Sequence, residues 1–162
     1  MPSTYTPIAT TTLGSAASDI TFSSISASYT DLILIVSGTV STSFDNIALR
    51  FNGDSGSNYS WTYLLGNGSS AASGRASNVT NALSGGFGNS QIGNVIFQIM
   101  NYSNTTTNKT VISRSNKADD AAGAWVSLWR NTAAINSIIL RASGGANLSS
   151  GLTATLYGVK SA

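Results

Sequence analysis

The side chains that most often carry out chemistry are almost absent from this chain. It contains no His, no Cys and no Glu, and its acids are Asp19, Asp31, Asp45, Asp54, Asp119 and Asp120. Without imidazole there is no usual base near neutral pH, so Ser-His and Cys-His nucleophile arrangements are excluded. Zinc sites built from His and Cys are excluded with them. A glycosidase needs only two carboxylates, but Asp119 and Asp120 are adjacent and sit in Asp-Asp-Ala-Ala-Gly. Neighbouring residues of a strand point to opposite faces, so the pair reads as solvated turn acids. No catalytic residue and no cofactor is assigned.

One loop has the spacing of a cation site. In Asn52-x-Asp54-x-Gly56-x-Asn58 oxygen-bearing side chains stand at alternate positions, as in calcium loops, but the bidentate Glu is missing and only one carboxylate is present. Turn capping by Asx side chains accounts for the same residues and is the favoured reading, so no metal is assigned. Aromatic residues remain. Trp61, Tyr63, Trp125 and Trp129, with Tyr59 beside them, could form a platform on which a sugar ring stacks. They could equally fill a core or a subunit contact, where aromatics are enriched, and that second reading is favoured.

These side chains are positioned by strands. Ile47, Leu49 and Phe51 alternate with Ala48 and Arg50, then Asn52-Gly53 supplies the positive-φ pair of a tight turn, and Tyr59, Trp61, Tyr63 and Leu65 recur at every second residue. Further strands are expected around Ile20 and Phe22, over Leu32 to Val36, over Ile92 to Tyr102, over Thr110 to Arg114, from Trp125 to Arg130, and over Ile135 to Arg141 and Leu152 to Val159. Between them Gly66 to Ser90, dense in Gly, Ser, Ala and Asn, reads as one long surface loop with at most a short strand. Turn signals at intervals of about ten residues and no 3.6-residue period predict an all-β, antiparallel sandwich of jelly-roll type. Residues 15–162 form that single domain, and residues 1–14, carrying Pro7, form an edge strand or an arm that reaches a neighbour.

Composition narrows the partners. Charged residues make up 9% of the 162 residues, against roughly 25% in ordinary soluble domains. A surface of hydroxyls and amides repels neighbours weakly, which suits a protein packed among others. The net charge is +2, but the eight Lys and Arg are scattered, so no nucleic-acid interface is expected. No apolar run approaches the roughly 20 residues of a membrane span. The N-terminus MPSTYTPIAT has neither a cationic start nor an apolar core, so synthesis in a cytoplasm without secretion is expected. Seven Asn-x-Ser/Thr triplets, beginning at Asn58, Asn67, Asn78, Asn101, Asn104, Asn108 and Asn147, are what chance gives in such a composition. Leu32 to Val36 is apolar on both faces, so one face is expected to lie between subunits, with Leu32, Leu34 and Val36 as interface residues and Tyr5, Pro7 and Ile8 of the arm joining them. A homotrimer is the favoured assembly.

The runs LRFNGDSGSNYS (49–60), Ser73-Gly74-Arg75, NYSNTT (101–106) with Lys109-Thr110-Val111, and the ending TLYGVK (155–160) resemble a group of small virion structural proteins of tailed bacteriophages, those of cyanobacterial and marine phages above all. The opening, Tyr5 to Ala9 and on through Thr30-Asp31-Leu32, fits the same group. The resemblance implies a place on the outer surface of the virion, either as a capsid decoration (cement) protein bound to the major capsid protein or as a tail-fibre domain that binds a host-surface carbohydrate. The chain would then be made in the host cytoplasm. The resemblance implies no catalytic residue.

Overall fold

The computed structural model describes residues 4–117 and 120–160. Among them all regular structure is β, in twelve strands. They are β1 (Tyr5–Thr12), β2 (Asp19–Phe22), β3 (Asp31–Gly38), β4 (Asp45–Phe51), β5 (Tyr59–Gly66), β6 (Ala71–Val79), β7 (Ala82–Phe87), β8 (Gly93–Met100), β9 (Lys109–Lys117), β10 (Ala121–Trp129), β11 (Ile138–Ala142) and β12 (Thr153–Val159). They form an antiparallel sandwich of two unequal sheets, eight strands in the order β1-β12-β3-β8-β9-β10-β5-β6 and four in the order β2-β11-β4-β7.

The core lies where the small sheet covers the large one. Leu32, Leu34 and Val36 of β3, Val95, Phe97 and Ile99 of β8, and Leu156 of β12 meet Ile20, Phe22, Ile47, Leu49, Ile138 and Leu140 from the small sheet. Alternation sets which residues face inward, because successive side chains of a strand leave opposite faces of the sheet. The Asn52-Gly53 turn forms as its composition predicts, with φ of 52° and 71° and the Asp54 N–H donating to the Phe51 carbonyl at 2.9 Å.

One expectation changes. The stretch 66–90, read as a long loop, holds β6 and β7. β6 pairs with β5 as the edge of the large sheet, and β7 pairs with β4 as the edge of the small one. Of the two readings of the N-terminal segment, residues 5–12 take the edge strand: β1 pairs with β12 from Tyr5 opposite Val159 to Thr12 opposite Thr153, with a bulge between Pro7 and Ala9. A bulge is where a sheet edge accommodates a proline.

Candidate functional site

Leu32, Leu34 and Val36 are fully buried within the protomer, so the interface assigned to them is corrected: they are core, and no neighbour can reach them. The other face of the same strand is the outward one. Ile35 lies opposite Ile96 of β8, and Ile33 shares its row with Gln98, Ile112 of β9 and Val126 of β10. Ile35, Ile96, Ile112, Val126 and Leu64 are all exposed, Val126 by 50% and Leu64 by 67%. Together they form an aliphatic band across five adjacent strands. Within these two rows the charged residues are Arg114, paired with Ile96, and Arg75, paired with Thr62, and no carboxylate joins them. Of the N-terminal residues, Tyr5 and Pro7 are exposed at the sheet edge, whereas Ile8 is half-buried and packs against the core.

The four aromatic residues proposed as a platform share the inner face of β5 and β10, but the structure does not keep them together. Trp129 is 1% exposed, its ring 5.6 Å from Phe51 and stacked 6.3 Å from Tyr59, and its Nε1–H donates to Asp54 Oδ2 at 2.7 Å. It belongs to the core and leaves the platform. Trp125 is buried at the base of a groove, its ring 5.7 Å from Tyr63 at an angle of 27°. Trp61 and Tyr63 are half-buried, 5.8 Å apart, and line the open side. This groove, about 310 Å³, has Trp61, Tyr63 and Leu65 of β5 and Trp125 as its floor and Phe44, Asn46 and Leu83 as its wall. It exists because the small sheet ends at β7 while the large one continues through β5 and β6.

The Asn52–Asn58 loop is tied by its own side chains. Asp54 accepts from the Gly56 N–H, from Asn58 Nδ2 through both oxygens and from Trp129. Burial works against its ionisation, but these hydrogen bonds and the nearby Arg50 outweigh it and hold its pKa below the ordinary carboxylate value. Asn52 Oδ1 accepts from the N–H groups of Asn136 and Ser137. The oxygens that a cation would need are already engaged, in keeping with turn capping. Asp120 forms a 3.7 Å ion pair with Lys117 across a turn, and Asp119 lies outside the described residues. Among the described residues no three acidic, His or Cys side chains converge.

Sequence reasoning missed Lys109, which is fully buried and donates to the carbonyls of Thr107 and Thr132 at 2.7 and 3.0 Å. Burial lowers its pKa. It also missed Phe44, Asn46 and Leu83, which come from segments read as loop or strand end.

Comparison with known proteins assigns no family. No family model matches the sequence, and no curated protein is significantly similar. Among solved structures, the galectin LEC-6 of Caenorhabditis elegans is 12% identical with a TM-score of 0.38, over 91% of this chain and 94% of that one. The PL-14 alginate lyase of Aplysia kurodai is 10% identical with a TM-score of 0.35, over 94% of this chain and 81% of that one. Similarities at this level assign neither activity nor ligand.

Proposed function

We propose that the chain is a non-enzymatic virion structural protein, an oligomeric capsid decoration protein that docks through the outer face of its eight-stranded sheet. The observation that carries this reading is the aliphatic band of Ile33, Ile35, Ile96, Ile112, Val126 and Leu64. Scattered surface apolar residues need no explanation, but a continuous band rimmed by polar residues marks a contact surface. Strands about 4.8 Å apart and some eight residues long give roughly 600 Å² over the five that carry the band and roughly 1,000 Å² over all eight, so a standard interface of roughly 800 Å² per partner takes in the band and its polar margins. Its plan is aliphatic with Gln98 and Arg114 set among the aliphatic residues and Thr, Ser and Asn towards the margins, and arginine is among the residues enriched in such interfaces. The two arginines favour a partner surface that is apolar and carries acids. The low charge content and the resemblance to phage virion proteins point the same way. The protein acts mechanically: a shell held by added contacts opens only when those contacts also break. Copies join around each attachment point, as a trimer in this reading.

The test is Ile35→Asp, on the band but opposite Ile96 and Thr155 rather than an arginine. Burying an unpaired carboxylate costs several kcal/mol, so the variant should fold with an unchanged thermal midpoint, scatter light as a monomer and leave the particles unoccupied. Full particle occupancy by the folded variant would sink the reading.

A further inference from the structure

We infer that the groove beside β7 is a second, independent binding site whose ligand is a neutral hexopyranose glycan. The first observation concerns ring orientation. Tyr63 lies directly opposite Gly74 on β6, and a Cβ at residue 74 would stand 2.8 Å from Tyr63 Cε1 and 3.1 Å from both Cζ and Oη. The ring therefore leans across the neighbouring strand instead of standing off the sheet, and only a glycine there allows it. Trp125 is placed in the same way: Cβ atoms at Gly123 of its own strand and at Gly85 of β7 would stand 2.7 and 2.8 Å from its ring. Trp125 is thereby covered and backs the floor, while the half-buried rings of Tyr63 and Trp61 are the ones a ligand can reach, and the apolar face of a pyranose is the shape that covers them.

The second observation concerns their polar tips. Elsewhere in the chain the buried aromatics have partners: Trp129 donates to Asp54, Tyr59 donates to the Asp54 carbonyl, and Tyr102 donates to the Ser26 carbonyl. In the groove the Tyr63 hydroxyl, the Trp61 indole N–H and the Asn46 carboxamide make no hydrogen bond among the described residues. Two donors and a group that both donates and accepts thus stand beside an apolar floor. Sugar hydroxyls are the complementary groups.

The third observation excludes an extended peptide. A strand added to the free edge of β7 would need its outward N–H and C=O groups, but the Leu83 N–H donates to Ser127 Oγ at 3.1 Å and Ser127 Oγ donates to the Leu83 carbonyl at 3.2 Å. The edge is already occupied at its centre. At about 310 Å³ the groove stands at the small end of the roughly 300–1,000 Å³ of ligand sites and takes one or two sugar rings. Its floor and wall bear no ionised side chain, which selects a neutral sugar. Lys117 and Asp120, which line an adjoining cleft, pair with one another.

The intact protein is titrated with lactose, maltotriose, cellotriose and mannotriose, and with a uronate trisaccharide as charged control, following tryptophan fluorescence and calorimetry. At least one neutral sugar should saturate the site with Kd of about 1 mM or tighter, and Tyr63→Ala should weaken it at least about tenfold. Gly74→Val, which lifts the Tyr63 ring, and Asn46→Ala should each weaken it while the thermal midpoint stays within a few degrees. Ile35→Asp should bind sugar as the parent does, which separates this site from the assembly face. The assignment is overturned by no saturation with any neutral sugar, by binding that survives Tyr63→Ala and Asn46→Ala, or by binding of the uronate alone.

Discussion

Replacing Trp129 by Phe tests how the turn at Asn52–Asn58 is joined to the core. Phe keeps a six-membered ring between Phe51 and Tyr59 but removes the Nε1–H that donates to Asp54 Oδ2 at 2.7 Å. A hydrogen bond to a charged group contributes about 1.5–3 kcal/mol, and the lost ring volume adds about 1 kcal/mol as a small cavity in a closely packed site. The variant should therefore lose about 2.5–4 kcal/mol at pH 7, a fall of roughly 5–16 °C in the midpoint for a domain of this size. The pH dependence separates the two contributions. The Asp54 pKa is held below the ordinary carboxylate value of 3.8, so its stabilisation is full above that value and is lost as pH falls through the depressed one. Urea unfolding of parent and variant should therefore differ by the full amount at pH 7 and by less as acid protonates the carboxylate, leaving the cavity share of about 1 kcal/mol and the weaker bond that a neutral carboxyl still accepts. A difference that is the same at both ends would show that the ring, and not its bond to the carboxylate, carries the effect.

Other substitutions follow from the same geometry. Burial raises the Tyr59 pKa to about 12 from 10.0, so its contribution is full below pH 10 and lost as pH rises through about 12. Tyr59→Phe should remove that share of the alkaline loss, which a pH series of urea melts would reveal. Gly38 has φ of +154° and a Cβ there would lie 2.7 Å from Leu152 Cβ, so Gly38→Ala should cost at least about 2 kcal/mol in denaturant unfolding. Lys109→Met leaves the carbonyls of Thr107 and Thr132 without their donor and should cost about 1–3 kcal/mol. Hydrogen exchange should quicken first in the two loops that this lysine joins.

Most strands could be read because the core demands alternation, and the failures fall where it does not. β6, Ala71-Ala-Ser-Gly-Arg-Ala-Ser-Asn-Val79, lies at the sheet edge beyond the reach of the small sheet and is largely exposed on both faces. Nothing there selects large apolar residues, and Gly74 is required under Tyr63, so the strand has a loop's composition. β7 carries Gly85 and Gly86 because Ser115, Trp125 and Phe44 press against it, and paired glycines in a sequence signal a turn. β3 fails in another way. Its two faces are equally aliphatic, so the pattern gives the strand but not the side that meets the core. The register with β8 decides it, since Leu34 pairs with Phe97 inside and Ile35 with Ile96 outside. Trp61, Trp125 and Trp129 share one parity and differ only in what covers them, a property of where β7 ends that alternation does not encode.

That ending also relates the two surfaces. In β10 and β5 neighbouring residues serve opposite faces: Trp125 and Tyr63 line the groove, while Val126 and Leu64, one residue further on, belong to the outer band. A strand side chain and its successor leave the sheet in opposite directions. Docking of the aliphatic band on a shell therefore turns the groove away from it, towards solvent. A one-residue slip of β5 against β10 would move Trp61 and Tyr63 to the outer face and Leu64 into the groove, while Trp125 and Val126, held by β9, kept their sides. Trp125 is pinned opposite Tyr63 by direct pairing, with Gly123 and Gly74 accommodating their rings, so the register that builds the groove is also the one that builds the outer face.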